Sequence, residues 1–131
     1  HVNQADRQGN SRISGPDPFF DEWFCRAASK AYLTCEEVVG TQAFNDPLIA
    51  LQMPIERNLI QGVALASYGA HPTSCGPLYG IDVSHLQGYN AAAKGSWEDY
   101  FAEYVDQVDL DSYTAAVGGG EAIQALPLPV F

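Results

Sequence analysis

Basic side chains are scarce in this chain. Its 131 residues hold 6 Lys+Arg against 16 Asp+Glu, a formal net charge of −10 at pH 7. Nucleic acid and anionic membranes both attract basic surfaces, so this balance argues against either as a partner. Charge of any sign is thin: 17% of residues are charged, below the roughly 25% usual in soluble domains. No run of about 18 apolar residues occurs, so no segment reads as membrane-spanning. Cysteine is limited to three residues, Cys25, Cys35 and Cys75. An odd number without C-x-x-C spacing argues against a disulfide-framed secreted domain and points to reduced thiols in a cytoplasmic protein. What is abundant is apolar surface, 47% of residues. That is too much for an acidic disordered tail, and enough to expect part of the surface to lie under another polypeptide.

The pattern along the chain predicts an α/β protein with an open sheet, packed helices and a helical C-terminal third. Residues 2–6 and 11–14 read as a hairpin, with Gly9-Asn10 supplying the turn. Asp17 and Pro18 announce a helix by capping and by pre-set backbone angle. Phe20, Phe24, Ala27, Ala28 and Ala31 recur at helical spacing, and Phe19 with Trp23 widens the apolar face expected to meet a sheet. A short strand follows over residues 32–35. Residues 40–54 read as loop with one helical turn. Residues 60–67 read as a second strand, whose apolar run 63–66 is consistent with burial on both faces. Residues 68–80 form a long turn-rich loop, and such loops commonly carry function. Residues 83–94 and 96–108 then read as helices, the second capped by Ser96. Residues 109–117 and 121–126 read as shorter ones. The whole, 1–131, reads as one domain, and residues 2–5 as the end of a strand whose beginning lies upstream.

Several motifs of nucleotide and acyl chemistry are missing. Gly118-Gly119-Gly120-Glu121 is followed by no G-K-[ST], so it is no P-loop, and G-x-S-x-G does not occur. His71, Cys75 and His85 match no compact zinc spacing, so no metal is assigned. The polar loop His71-Pro72-Thr73-Ser74-Cys75 is the best candidate for function. Cys75 and His71 could form a nucleophile–base pair, although a structural loop around a buried thiol is the plainer reading. The turn Asp6-Arg7-Gln8-Gly9-Asn10 reads as structural, because Asp and Asn side chains bind turn backbone.

Taken in order, these segments resemble a known family. Ala5-Asp6-x-x-Gly9-Asn10 resembles the A-D-x-x-G-N turn of family I coenzyme A transferases. Residues 17–39 resemble the helix and strand after it in the A (alpha) subunit. Gly69-Ala70-His71-Pro72-Thr73-Ser74-Cys75, followed by Tyr79, Asp82, His85 and Tyr89, resembles the late G-A-H-P-T-S loop of glutaconate-type A subunits. The resemblance implies the C-terminal half of a longer A subunit. It implies the missing N-terminal half and a B subunit as partners, with an acyl-CoA and a carboxylic acid as substrates. Coenzyme A would be a cosubstrate, with no tightly bound cofactor.

In that family a glutamate carboxylate attacks the acyl-CoA thioester. The anhydride so formed becomes an enzyme-bound glutamyl-CoA thioester, which passes CoA to the acceptor acid. No glutamate of this chain is matched to that residue, and no catalytic residue is assigned, so the chain alone is not expected to be competent. His71, Thr73 and Ser74 are the candidates for lining the substrate pocket, since a turn-rich loop can present donors free of strand constraints. A neighbouring branch of the superfamily opens rings of CoA-linked steroid fragments by hydrolysis. The G-A-H-P-T-S loop favours transfer. A non-catalytic structural subunit is the alternative of a different class.

Overall fold

The computed structural model describes residues 1–15, 18–106 and 108–129. These fall into two compact units, His1–Gly69 and Ala70–Phe131. Each is described by itself.

The first unit is built on a four-stranded sheet. Strand β1 (Val2–Ala5) turns back into β2 (Ser11–Arg12). Helix α1 (Asp21–Ala27) leads into the long strand β3 (Ala31–Val38), and α2 (Pro47–Ala50) precedes β4 (Ile60–Leu65). The order across the sheet is β2-β1-β3-β4. β1 and β2 are antiparallel, as two strands joined by a tight turn must be. β3 runs parallel to both β1 and β4, with Val2 opposite Cys35 and Leu33 opposite Val63. The core gathers on one side, where Val2, Ala5, Leu33, Cys35 and Ile55 are buried, with Ile13, Cys25, Ile60 and Val63 packed against them.

The turn between β1 and β2 depends on one carboxylate. Asp6 is almost completely buried. Its Oδ1 accepts from the backbone N–H of Gln8 and of Asn10, both at 2.9 Å, and its Oδ2 accepts from Asn10 Nδ2 at 2.7 Å. Burial pushes the carboxyl up, but hydrogen bonds from Asn10, Thr41 and Gln8 outweigh it and hold the group below the usual carboxylate range. Gly9 has φ +90°, and a Cβ there would lie 3.1 Å from Ile60 Cβ. Only glycine combines that backbone angle with that approach to β4.

Helix α1 is shorter than its sequence pattern predicts, and it faces the other way. Ala28 is already extended (φ −79°, ψ 144°), because Ala31 enters β3 as a buried residue and donates its N–H to Gln61 Oε1 at 2.6 Å. Phe20, not Asp17, stands at the N-cap; Asp17 lies outside the described residues. Cys25 packs on the core. The predicted core face points outward instead: Phe20, Trp23 and Phe24 are 65%, 64% and 70% exposed. The reading of residues 63–66 as buried on both faces is also corrected. Ala64 is exposed and Leu65 is 60% exposed, because β4 is the last strand of the described sheet.

The second unit holds the predicted helices, the first three trimmed by a few residues and the last shifted to begin one residue earlier. They are α3 (Val83–Ala92), α4 (Trp97–Tyr104), α5 (Leu110–Ala116) and α6 (Gly120–Gln124). Asp82 caps α3 by accepting from His85 N, and Asp109 caps α5 by accepting from Ser112 N. Ser96 stands at the N-cap of α4, but its side chain makes no capping bond. Tyr79 and Ile123 are fully buried. The chain after α6 lies so close to Gly80 that a Cβ there would sit on the carbonyl oxygen of Pro127.

Two neighbouring substitutions separate the effects at the hairpin. Asp6→Ala orphans three donors, so urea unfolding should show a loss of about 2–3 kcal/mol near neutral pH. Because the folded pKa is lowered, that loss should shrink as pH falls through the folded pKa of Asp6, where the wild-type carboxylate is itself protonated. Ser11→Ala should leave stability unchanged or slightly raised, since the buried Ser11 Oγ has no partner among the described residues.

Candidate functional site

The polar loop singled out in the sequence opens the second unit, and its backbone is closely tied. Thr73 donates its N–H to the Ala70 carbonyl at 2.8 Å, and its hydroxyl donates to the same oxygen. Ala70 N–H donates to the Tyr79 hydroxyl at 3.1 Å, and Cys75 N–H to the Tyr79 carbonyl at 3.1 Å. Asp82 N–H reaches back to the Pro72 carbonyl at 2.9 Å. The His71–Pro72 and Gly76–Pro77 peptides are cis. Residues predicted as one free loop are therefore a folded knot around Tyr79.

His71 is buried within that knot, and both its ring nitrogens are occupied. Nε2 lies 3.3 Å from Asp82 Oδ2 and Nδ1 lies 2.8 Å from the Tyr113 hydroxyl. Since a carboxylate only accepts, Nε2 donates to Asp82; in the neutral imidazole Nδ1 is left to accept from Tyr113. The other Asp82 oxygen caps α3 at His85 N, 2.7 Å away. His85 continues the network, with Nε2 at 2.9 Å from the Tyr100 hydroxyl. The rings pack edge-on: His71 to His85 at 5.3 Å and His85 to Tyr104 at 4.9 Å between centroids. Asp82 thus joins the loop to α3, and Tyr113 joins it to α5.

The electrostatics follow from this packing. The His85 N–H holds the Asp82 carboxyl below its usual range, with help from the two imidazoles. Burial lowers the pKa of His85, and His71 beside it adds to the effect, against a partial pull from Asp82 and Glu103. Burial, then the neighbouring Tyr100, Asp82 and Tyr104, pushes the Tyr113 phenol up to about 12. A carboxylate–imidazole–hydroxyl relay can activate a nucleophile when the hydroxyl ionises readily. Here the terminal hydroxyl is a phenol held in its neutral form. The network therefore serves to fix loop, α3 and α5 together.

The three predicted site residues are placed differently. His71 is interior, and its engaged nitrogens make it no base for Cys75, which is also buried. Thr73 and Ser74 are exposed on the loop's outer turn. An open pocket of about 530 Å3 lies between α3, α4 and the end of α5, lined by Asp82, Ser84, His85, Tyr100, Tyr104 and Val117 among others. Tyr113 was not legible as a site residue. It lies 42 positions from His71, and a tyrosine on a helix carries no local mark of a distant histidine.

No protein-family model matches the chain. Curated relatives do. It is 34% identical over 119 residues to the cholesterol ring-cleaving hydrolase IpdA subunit of Rhodococcus jostii, covering 89% of this chain and 40% of the relative. It is 34% identical over 134 residues to the A subunit of glutaconate CoA-transferase from Acidaminococcus fermentans, covering 98% of this chain and 40% of the relative. Among solved structures, glutaconate coenzyme A-transferase from A. fermentans superimposes with a TM-score of 0.85 at 29% identity, over 96% of this chain and 39% of the other. The chain is homologous to CoA-transferase A subunits. A variant of the decarboxylase AibA/AibB superimposes with a TM-score of 0.64 at 29% identity, over 82% of this chain and 37% of the other. The α/β architecture read from the sequence is that of the transferase neighbour. The chain spans about 40% of the length of the curated relatives it matches, their C-terminal part. Among the described residues, no helix is long and apolar enough to cross a membrane.

Two titrations check the site. His85 has a lowered folded pKa, so its share of stability is present above the ordinary histidine range and declines as pH falls through it. His85→Phe should therefore flatten the stability profile as pH falls below the ordinary histidine range. Ultraviolet titration of the phenols should include a step near 12, and Tyr113→Phe should diminish it.

Proposed function

We propose that the chain is one part of an acyl-CoA:carboxylate CoA-transferase, acting as a piece of its A subunit. The supporting observation is the match to the A subunit of glutaconate CoA-transferase, which takes in 98% of this chain in sequence and 96% in structure. On this reading CoA is a cosubstrate, and the reactive glutamate is carried outside this chain. The partners are a B subunit plus the rest of the A subunit. The cytoplasm is the proposed location, consistent with three free thiols.

Within this chain the role is to build and hold one wall of the acyl pocket. Ser74 and Thr73 present their loop edge to substrate. His71 sits beneath them, held by Asp82 and Tyr113, and positions the loop. The bare face of the sheet supports a part that works inside a larger body. Parallel strands are normally covered on both faces, yet Tyr32 of β3 is 66% exposed, and Thr34 and Ala64 beside it are exposed.

Ring-opening hydrolysis is the second reading, favoured by the IpdA relatives at 34% and 31% identity. The two separate in one assay of the complete enzyme. Transfer predicts that CoA leaves the donor only in step with added acceptor acid, with ping-pong kinetics. CoA chemistry in water alone would instead support the hydrolase. Ser74→Ala in that enzyme should raise KM for the acyl group several-fold. His71→Ala should lower kcat and thermal stability together. Unchanged kinetics in both variants would remove the loop from the site.

A further inference from the structure

We propose that the aromatic face of α1 is a docking surface for the portion of the same subunit that lies outside this chain. This rests on reading the chain as a piece of an A-type subunit, and it names the surface by which that piece joins the rest.

Helix α1 has seven residues, far too few to persist in water on propensity alone. One side is held by Cys25 on the core. The other side is apolar: Phe20, Trp23 and Phe24 are 65%, 64% and 70% exposed, and Phe19 just before the helix is 75% exposed. Asp21 and Glu22 share the Cys25 side, so the helix's apolar stripe is the side left open, and such a stripe is normally packed against another element. Four such rings at these exposures present about 400–650 Å2 of apolar surface. That matches or exceeds the largest patch on an ordinary monomer, about 300–600 Å2, and approaches one side of a stable interface, about 800 Å2. The Phe20 and Phe24 centroids lie 6.3 Å apart, so these two rings adjoin on one face of the helix. Phe19 has φ 51°, a left-handed conformation that disfavours a bulky residue by about 1 kcal/mol or more. That backbone turn adds its ring to the exposed aromatics.

The character of the patch indicates what covers it. Its helix carries one internal ion pair, Glu22 with Arg26 at 2.8 Å, and Arg26 also reaches Glu56 at 2.6 Å. The aromatic face itself is without charge, like a section through a core, not like a surface that opens and closes. α1 also runs directly into β3, the strand bonded on both sides in the sheet. Polypeptide of the same subunit is available: the matched relatives are longer than this chain by a factor of about 2.5 (the chain covers 40% of each). A tethered segment meets the patch at high effective concentration, which a separate partner does not.

Trp23 reports on the patch; Trp97→Phe leaves it as the only indole of this chain, and in each sample the difference from the matching Trp23→Phe variant isolates its signal. Acrylamide quenching is measured on this chain alone and on the gene product that contains it, before and after a B subunit is added. The expected result is Trp23 freely quenched in the chain, and shielded several-fold with blue-shifted emission in the A-type gene product alone. Shielding only on adding the B subunit would overturn the proposal by making α1 a subunit interface. Shielding that grows with the concentration of this chain would overturn it in favour of a second copy. Exposure in the assembled enzyme would overturn it outright. If Trp97→Phe does not fold, the difference between native protein and Trp23→Phe gives the same reading. Acyl-CoA turnover on the same samples keeps the two claims apart. Shielding without turnover contradicts the function and leaves the surface; turnover with Trp23 exposed contradicts the surface alone.

Discussion

A parallel ladder has two faces, and each must be kept from water if its strands are apolar. In the first unit β1, β3 and β4 meet that constraint on one face only. Val2, Leu33 and Cys35 are buried there with Ile55 behind them. On the other, Tyr32 lies over Gly62, where an added Cβ would come within 3.1 Å of its ring, and most of that tyrosine remains open. The small residues Gly62, Thr34 and Ala64 leave room for another backbone to approach closely. The exposure of Tyr32, Thr34 and Ala64 follows from this one-sided burial.

The two units solve their local problems with carboxylates used as acceptors. Asp6 closes the hairpin and so sets β2 beside β1. Asp82 does more with its two oxygens, capping α3 with one and holding His71 with the other. The phenol of Tyr113 and the imidazole of His85 are pressed toward their neutral forms by the same burial. Such a network rigidifies a loop and costs little to keep, since each buried polar group named has a partner. On the proposed reading, that rigidity is what an acyl pocket gains from this chain. On the same reading, the reactive chemistry is supplied elsewhere.

Much of the fold was legible because its signals are local. Gly9-Asn10 marks a turn, and Gly118 and Gly119 mark the break before α6 with positive φ. The spacing of Tyr100, Tyr104 and Trp97 marks α4. The errors share a cause. Phe20, Trp23 and Phe24 were expected in the core, and Ala64 and Leu65 in a doubly covered strand. Periodicity says that a face is apolar; it does not say whether this chain or another covers it. Helix length failed at Ala28 because the pairing of Ala31 with β4 overrides alanine's helix propensity. In the site, the loop His71-Pro72-Thr73-Ser74 and the cap at Asp82 could be marked from sequence. The bond from His71 to Tyr113 could not, since it joins two elements whose contact only the tertiary fold creates.

Hydrogen exchange at β4 tests most directly whether this sheet is part of a larger body. β4 bonds to β3 along one edge, and its outer amides have no strand beyond them among the described residues. In the isolated chain those outer amides should exchange at nearly the rate of open peptide. Within the A-type gene product they should be protected by several orders of magnitude. Full protection of β4 in the isolated chain, at low concentration and without a partner, would contradict the account.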